Sequence, residues 1–283
     1  MKKFTIPCIN PTLDPGNLLD GASVWLNNVA HALREEGHEV NLCKLTDEYS
    51  GDWVIIQSEW VEIPNLQTYK DGGGKIIVLL GHFIDHVYPK IEKVKEFADV
   101  MVTTWKGELT EGFDAHYIPH AFGTNLQTEE REVKGDVVWA GNTYALRDEG
   151  PMSGVDMYRI SGTQPIDVSK IYRGAKICPN LHGSFQMNQV SDEPSKIADK
   201  PGMMINERTF HISGCGGFQL CQEHPMLSEF FPEIATFKDD FEKKVAHYLR
   251  NPQLRDAMAK KNQEHVLKHH TYGNRVKKLL SLI

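Results

Sequence analysis

The chain has 283 residues, which suits two domains of ordinary size, and its 40% hydrophobic and 24% charged residues are typical of a soluble globular protein. No apolar run approaches the ~20 residues that a membrane span needs. The apolar part of the N-terminus is too short for a signal peptide, so we expect a cytoplasmic protein. The five cysteines form no C-x-x-C pair, which argues against a disulfide framework or a zinc site.

The charge is unevenly distributed along the chain. Residues 1–130 hold 10 basic and 20 acidic side chains, whereas the remaining residues hold 21 basic and 18 acidic ones. An acidic first half is a poor general clamp for a nucleic-acid backbone, so duplex nucleic acid is disfavoured as a partner. The mildly basic second half is compatible with a small anionic ligand.

Strands and helices alternate from the N-terminus onward. An apolar strand at 4–9 leads through a loop of turn formers to a helix from Gly21, whose apolar residues recur at spacings of three and four. Gly37 ends that helix and a strand at 38–42 follows, which makes a βαβ unit and implies a parallel sheet. Further strands are predicted at 52–57, 75–80, 100–103 and 115–118, with a helix at 91–97.

A charged segment at 129–135 is the predicted junction between two halves. Beyond it, strands are predicted at 136–140, 158–161, 175–179 and 233–237, and helices at 168–173, 241–250, 253–269 and 274–283. Alternation in both halves predicts an α/β fold of two facing, doubly wound, Rossmann-like domains. We place the first domain at 1–130 and the second at 131–265, with a C-terminal helix in 266–283.

The segment Asn206–Leu220 reads N-E-R-T-F-H-I-S-G-C-G-G-F-Q-L, a short amphipathic helix that stops at glycine and runs into a strand. The first turn of a helix offers unpaired N–H groups and the positive end of the dipole, which suits a phosphate. Glycines let the backbone turn sharply and let a ligand come close; here they are Gly214, Gly216 and Gly217. A plain glycine C-cap is the alternative, and this segment alone leaves both interpretations open.

Two arginines are candidates for binding a diphosphate. Arg208 lies at the start of this helix, and Arg147 lies in a polar loop after the strand at 136–140. Guanidinium groups bind phosphate oxygens in a fork and keep their charge. A surface position is the alternative, and it applies more to Arg147 than to Arg208.

Residues that follow strands are candidate site residues, because ligands of doubly wound sheets bind beyond the carboxyl ends of the strands. His82 directly follows the strand at 75–80 and could take a proton from an acceptor hydroxyl. Asp85 or His86 could orient it. A solvated or core histidine is the alternative, since the chain holds 13 histidines.

Several nucleotide-binding motifs do not occur in the sequence. It contains no D-x-D pair, which would be expected if a divalent ion held a nucleotide diphosphate by a short loop. It also lacks a G-x-x-x-x-G-K-[ST] loop, and no G-x-G-x-x-G follows the first strand. The absence of these motifs excludes P-loop chemistry and argues against a nicotinamide dehydrogenase.

Four stretches of the sequence resemble one family of enzymes. The segment 206–220 is similar to the donor-site signature of two-domain glycosyltransferases of the GT-B type, in particular the branch that includes the spore maturation protein CgeB. Three other stretches agree, namely Y-I-P-H-A at 117–121, V-V-W-A-G-N at 137–142, and the histidine-rich 265–272 with Arg275. The family usually has a glutamate directly after the phenylalanine, contacting the donor ribose, where this chain has His211.

The resemblance implies a hexosyltransferase-like enzyme that moves a sugar from a nucleotide-diphosphate donor, with a UDP-sugar as the expected donor, to a hydroxyl acceptor. It implies no metal and no cofactor, a donor in the second domain, an acceptor in the first, and a last helix that returns to the first domain. The residues expected at the donor nucleoside are Gly162, Gln164, Pro165, Asn180, His182 and His211. Those expected at the diphosphate are Arg147, Arg208, Gly214, Gly216 and Gly217. The acceptor side would include Asn17, Gly21 and His120, with His82 and Asp85 as catalytic residues.

Two alternatives stay open at this stage. The replacement of the usual glutamate by His211 favours a protein of the same fold that binds a nucleotide or sugar without turnover. A transferase that acts on a DNA base is the second alternative, which the acidic first half disfavours.

Overall fold

The computed structural model describes residues 1–9, 11–12, 14, 21–80, 91–106, 113–140, 152, 154–182 and 204–283, with only the backbone described at 21 and 22. Within these ranges the structure contains no helix that is both long enough and apolar enough to cross a membrane.

The chain alternates strands and helices along most of its length. The strands are β1 (Lys3–Cys8), β2 (Glu39–Lys44), β3 (Trp53–Gln57), β4 (Lys75–Leu80), β5 (Val100–Thr103), β6 (His116–Tyr117), β7 (Val138–Ala140), β8 (Tyr158–Ile160), β9 (Cys178–Asn180), β10 (Gln219–Gln222) and β11 (Ala235–Phe237). The helices are α1 (Gly21–Glu35), α2 (Pro64–Asp71), α3 (Ile91–Phe97), α4 (Pro165–Gly174), α5 (Glu207–Gly214), α6 (Leu227–Phe230), α7 (Phe241–Arg250), α8 (Pro252–His269) and α9 (Tyr272–Leu280).

The described residues divide into two compact units. The first comprises Met1–Pro119, Met204 and Tyr272–Ile283, and the second comprises 120–182 and 205–271. Residues 120–130, which the sequence assigned to the first domain, therefore fall in the second unit. The second unit begins at His120, directly after Pro119, and not at the charged segment 129–135.

The first unit is built on a six-stranded parallel sheet with the order β2-β1-β3-β4-β5-β6. The strand order reverses between β1 and β3, which is the topological switch point of a doubly wound sheet. All five residues of β3 are buried, as expected for a strand covered on both faces. Helix α9 belongs to this unit, where Arg275 Nε donates to the Pro119 carbonyl (3.0 Å) and Lys277 pairs with Glu36.

The second unit has five parallel strands. Strands β8 and β7 pair, strands β9, β10 and β11 pair in that order, and a parallel bridge between Val137 and Ile177 joins the two sets. The resulting order is β8-β7-β9-β10-β11, with its switch point between β7 and β9. The core beneath it contains Trp139, Phe218 and Phe237, all buried.

The predicted α/β fold with two Rossmann-like parallel sheets is confirmed. Two helices were missed in the sequence. In α2 only Leu66 is buried, so the segment has almost no apolar periodicity to detect. Helix α6 spans four residues, which is too short for any periodic signal.

Candidate functional site

Helix α5 begins with a well-formed cap in the second unit. The Asn206 side-chain oxygen Oδ1 accepts a hydrogen bond from the Thr209 backbone N–H (3.1 Å) and a second from the Thr209 hydroxyl (2.9 Å). Asparagine is a favoured N-cap because it satisfies one of the unpaired N–H groups of the first turn. Glu207 places an acidic side chain in that same turn. The cap fixes where the helix begins and so where Arg208 stands.

A buried polar network holds α5 against the last residue of β9 and the first residue of β10. Asn180 Nδ2 donates to Thr209 Oγ1 (2.9 Å), and Asn206 Nδ2 donates to the Leu181 carbonyl (3.0 Å). Gln219 Nε2 donates to the Thr209 carbonyl (2.9 Å). Because buried polar groups without partners cost free energy, this network favours a single position for the helix.

Arg208 lies in the first turn of α5 and keeps an unused donor. Its Nη1 atom is buried and has no hydrogen-bond partner within the described ranges. The Arg208 side chain forms no ion pair with any carboxylate among the residues that the structure describes. It contacts the Tyr172 hydroxyl, whose pKa is raised by burial, an effect that the Arg208 charge opposes. A permanent positive charge with an open donor at a helix N-terminus suits an anion.

His182 lies beside Arg208 and just after β9. Its side chain is only 8% exposed, and its Nε2 atom is buried without a partner among the described residues. Burial, together with the nearby His224 and Arg208, lowers its pKa to about 3. The His182 ring is therefore neutral at pH 7, and it stacks obliquely on His224 with 4.9 Å between ring centroids.

His211 lies one turn beyond Arg208 on α5. Its Nε2 atom is 2.7 Å from the Ser169 hydroxyl on α4, and its ring meets Tyr172 edge-on at 5.4 Å. Burial, and to a smaller extent the charge of Arg208, lowers its pKa to about 4. The side chain that replaces the usual glutamate is thus an uncharged imidazole with a hydroxyl partner.

The three glycines predicted to hold the diphosphate lie at the opposite end of α5 from Arg208. A Cβ atom on Gly214 would come within 2.3 Å of the Phe122 ring, and one on Gly217 within 3.1 Å of Ile212. Gly216 has a φ of +85°, in the left-handed region typical of a helix end. These positions need glycine for packing and chain reversal, and the structure does not bring them to the helix N-terminus.

The nucleoside candidates fall at two strand ends of the second unit. Gly162, Gln164 and Pro165 follow β8 and open α4, with Gln164 as N-cap and Pro165 in the first turn. The Gln164 Oε1 atom is buried without a partner in the described part of the chain. Asn180 and His182 follow β9, and β7 lies between these two strands in the sheet.

Four predicted site residues lie outside the described residues, and these are Asn17, His82, Asp85 and Arg147. Gly21 opens α1, of which only the backbone is described there. His120 is fully buried in the second unit. The assignments of these six residues stay predictions.

Three residues around His182, Arg208 and His211 were not foreseen from the sequence. Ser169, Tyr172 and His224 come close to the site through folding, and no local pattern marks them. Asn206 carried a usable signal, because an asparagine directly before a helical pattern is a capping signature. The described residues include no group of three or more His, Cys, Asp or Glu side chains that could hold a metal.

The comparisons with known proteins agree with this geometry. The model of a family described as glycosyl transferase-like matches residues 126–281, more than half of the chain. A search of curated proteins found no match.

Several solved structures share the fold across nearly the whole chain. An α-glucosyltransferase in complex with UDP and a 13-mer DNA containing an HMU base has 11% identity and a TM-score of 0.66, covering 99% of each chain. HepE from Anabaena in complex with UDP and glucose has 8% identity and a TM-score of 0.62, covering 100% of each chain. Sucrose-phosphate synthase from Thermosynechococcus elongatus has 10% identity and a TM-score of 0.61, covering 100% of this chain and 98% of that one. The chain therefore belongs to the glycosyl transferase-like family, and it has the two-domain GT-B fold of these enzymes.

Proposed function

We propose that this protein transfers a sugar from a nucleotide-diphosphate donor, with UDP as the nucleotide, to a hydroxyl acceptor, without a metal ion. The observation that carries the proposal is Arg208, which stands in the first turn of α5 with a buried, unpaired Nη1 atom and no carboxylate partner in the described ranges. The UDP complexes of HepE and of the α-glucosyltransferase support the choice of nucleotide.

The chemistry follows from the charge that develops on the leaving group. As the bond between the sugar and the diphosphate breaks, negative charge accumulates on the diphosphate oxygens. Arg208 and the positive end of the α5 dipole would stabilise that charge without any reorganisation at the moment of reaction. The two neighbouring imidazoles, His182 and His211, are neutral at pH 7 and do not oppose it.

The rest of the donor would lie at the ends of β8 and β9. The unpaired Gln164 Oε1 is an acceptor suited to an N–H group of the base. A Cβ atom on Gly162 would meet no atom within 4 Å, so there is open space around that residue. His211 stands where the CgeB-like branch usually has the ribose-contacting glutamate. We extend the assignment to that branch, and we assign acceptor activation to His82 with Asp85.

Binding of UDP tests the donor assignment directly. We expect UDP to raise the melting temperature of the wild-type protein, and Arg208→Ala to weaken UDP binding by about 10-fold or more, because a charge-assisted hydrogen bond is lost. Arg250→Ala, an exposed arginine at the end of α7, is the matched control. If neither UDP, GDP nor any nucleotide sugar shifts melting, the proposal fails.

Turnover separates the transferase from a protein that only binds. The neutral His211 favours the binding-only alternative, so sugar release from UDP-glucose and UDP-galactose should be measured with and without EDTA. We expect release that EDTA does not reduce. Bound donor with neither transfer nor hydrolysis across an acceptor panel would support binding alone, and a loss of release with EDTA would contradict metal independence.

A DNA base is a second candidate acceptor, because one fold relative was captured with DNA. The 20 acidic side chains among residues 1–130 speak against it. Titration of duplex DNA at low salt decides this point, since no binding there would remove DNA as the acceptor.

A further inference from the structure

We propose that His182 is a second, uncharged hydrogen-bond donor to the phosphate that Arg208 binds, and that Asn206 positions its proton on Nε2. The proposal deepens the donor site and rests on the proposed function for the identity of the ligand. Its first observation is that His182 Nε2 and Arg208 Nη1 are both buried and both lack partners among the described residues. The His182 ring contacts Asn206, two positions before Arg208, at 3.3 Å.

The orientation of the Asn206 amide is set by the helix cap. A backbone N–H can only donate, so the atom that faces the Thr209 N–H at 3.1 Å must be the amide oxygen Oδ1. The amide nitrogen Nδ2 consequently points the other way, toward the Leu181 carbonyl at 3.0 Å. Reversing the amide would place two donors against each other at the cap and two acceptors against each other at Leu181.

The amide orientation in turn sets the tautomer of His182. Asn206 Nδ2 lies 3.3 Å from His182 Nδ1. Nδ2 shares its two hydrogens among His182 Nδ1, the Leu181 carbonyl and Asn180 Oδ1, which is 3.2 Å away. A hydrogen on His182 Nδ1 would place two donors against each other, so Nδ1 presents its lone pair there. A neutral imidazole has one N–H, so the hydrogen sits on Nε2. The chain of contacts from Thr209 through Asn206 therefore makes His182 Nε2 a donor.

The environment of the ring keeps it neutral. The charged and titratable groups that act on His182 within the described ranges are His224, whose ring centroid is 4.9 Å away, and Arg208. Burial is the main cause that disfavours a second proton, and His224 and Arg208 disfavour it further, so the pKa of His182 falls to about 3. His182 thus offers one directed N–H without adding charge.

An anion is the ligand that these donors fit. A buried N–H without a partner is costly, and such a group in a folded protein calls for an explanation. Here the neighbouring unpaired donor belongs to a permanent cation at a helix N-terminus. A phosphate group, whose several oxygens only accept hydrogen bonds, can pair with both Arg208 Nη1 and His182 Nε2.

Titration of UDP and of inorganic pyrophosphate into three variants tests the proposal. His182→Leu removes the donor and should weaken binding of both ligands by about 10-fold to 100-fold, the effect of losing a hydrogen bond to a charged group. His182→Gln retains an N–H at a similar reach and should recover most of the affinity. His247→Gln changes an exposed histidine on α7, which we do not place in the site, and should stay within about twofold of the wild type.

The tautomer has its own readout, independent of any ligand. In ¹⁵N-labelled free protein, the His182 ring should show a protonated Nε2 and an unprotonated Nδ1 at pH 7, identified as the signals missing in His182→Gln. Asn206→Ser keeps a capping oxygen but removes the amide donor, so it should populate the Nδ1–H form. A protonated Nδ1 in the wild type would overturn the proposal.

The results of these titrations distinguish a failure of this inference from a failure of the proposed function. Pyrophosphate binding that weakens in His182→Leu, with UDP binding no better than pyrophosphate, would sustain the inference and count against a nucleotide donor. Binding of both ligands that is unchanged in His182→Leu would reject the inference and leave the function standing. If neither ligand binds the wild-type protein, both fail.

Discussion

The two buried histidines of the site make the protein sensitive to mild acid. In the folded chain the pKa of His182 is about 3 and that of His211 about 4, against 6.5 for an ordinary histidine. Below pH 6.5 the unfolded chain takes up protons at these two positions while the folded chain does not. The stability that these two neutral rings contribute is therefore fully present above about pH 6.5. It is lost as the pH falls toward about 4 for His211 and about 3 for His182.

The size of this effect follows from the same values. At about pH 5 an unfolded histidine is almost fully protonated, whereas His182 and His211 in the folded state remain largely neutral. Each ring then costs about 2 kcal/mol of unfolding free energy relative to about pH 7.5, or about 4 kcal/mol for the pair. This is a large fraction of the total stability of an ordinary domain.

Urea unfolding followed by far-UV circular dichroism, at several pH values across that range, measures the loss. We expect His182→Gln and His211→Gln each to flatten the fall in unfolding free energy by about 2 kcal/mol, because glutamine does not titrate. His247→Gln, an exposed histidine on α7, controls for the substitution itself. If the wild-type and His182→Gln curves run parallel between about pH 7.5 and about pH 5, the reasoning about its burial is wrong.

Two further predictions concern the helix that carries Arg208. Gly214→Ala should lower the unfolding free energy by about 1–3 kcal/mol in urea, since the new methyl would lie 2.3 Å from the Phe122 ring; Gly72→Ala, with a φ of −74° and no atom nearer than 3.4 Å, should cost much less. Asn206→Ala should cost about 1 kcal/mol or more through loss of the α5 cap, whereas Asp240→Ala at the N-terminus of α7, where the side chain makes no cap bond, should cost less. Equal losses in either pair would contradict the corresponding contact.

The alternation of strands and helices was predictable because its physical cause is local. A strand such as β4 is a short apolar run bounded by turn residues, and α7 has a clear apolar stripe that ends at Asn251-Pro252. Helix α2 was not predicted from the sequence because only one of its side chains is buried in the core. Tertiary packing stabilises this segment, whose own apolar pattern is weak.

The position of Arg208 was predictable for a similar reason. An asparagine, an acidic residue and an arginine directly before an apolar helical pattern describe a capped helix start, and the structure places Asn206 and Arg208 there. The role of the following glycines was not predictable. In a sequence, a glycine that makes room for a ligand cannot be distinguished from a glycine that makes room for a neighbouring side chain. At Gly214 that neighbour is the ring of Phe122, which is far away in the chain.

One property of His211 can be read from the sequence, and another depends on contacts that only the folded structure shows. The sequence alone identifies it as a departure, since an imidazole stands where the resembling family has a carboxylate. Its chemical state depends on Ser169 and Tyr172, which are 42 and 39 positions away and reach it only through packing of α4 on α5. A carboxylate one turn from Arg208 would offset part of the guanidinium charge, whereas a neutral imidazole offsets none of it. In the proposed donor site, the replacement would therefore leave the anion site more positive. It would favour tight binding of a diphosphate and place any cost of the substitution on the proposed contact with the ribose.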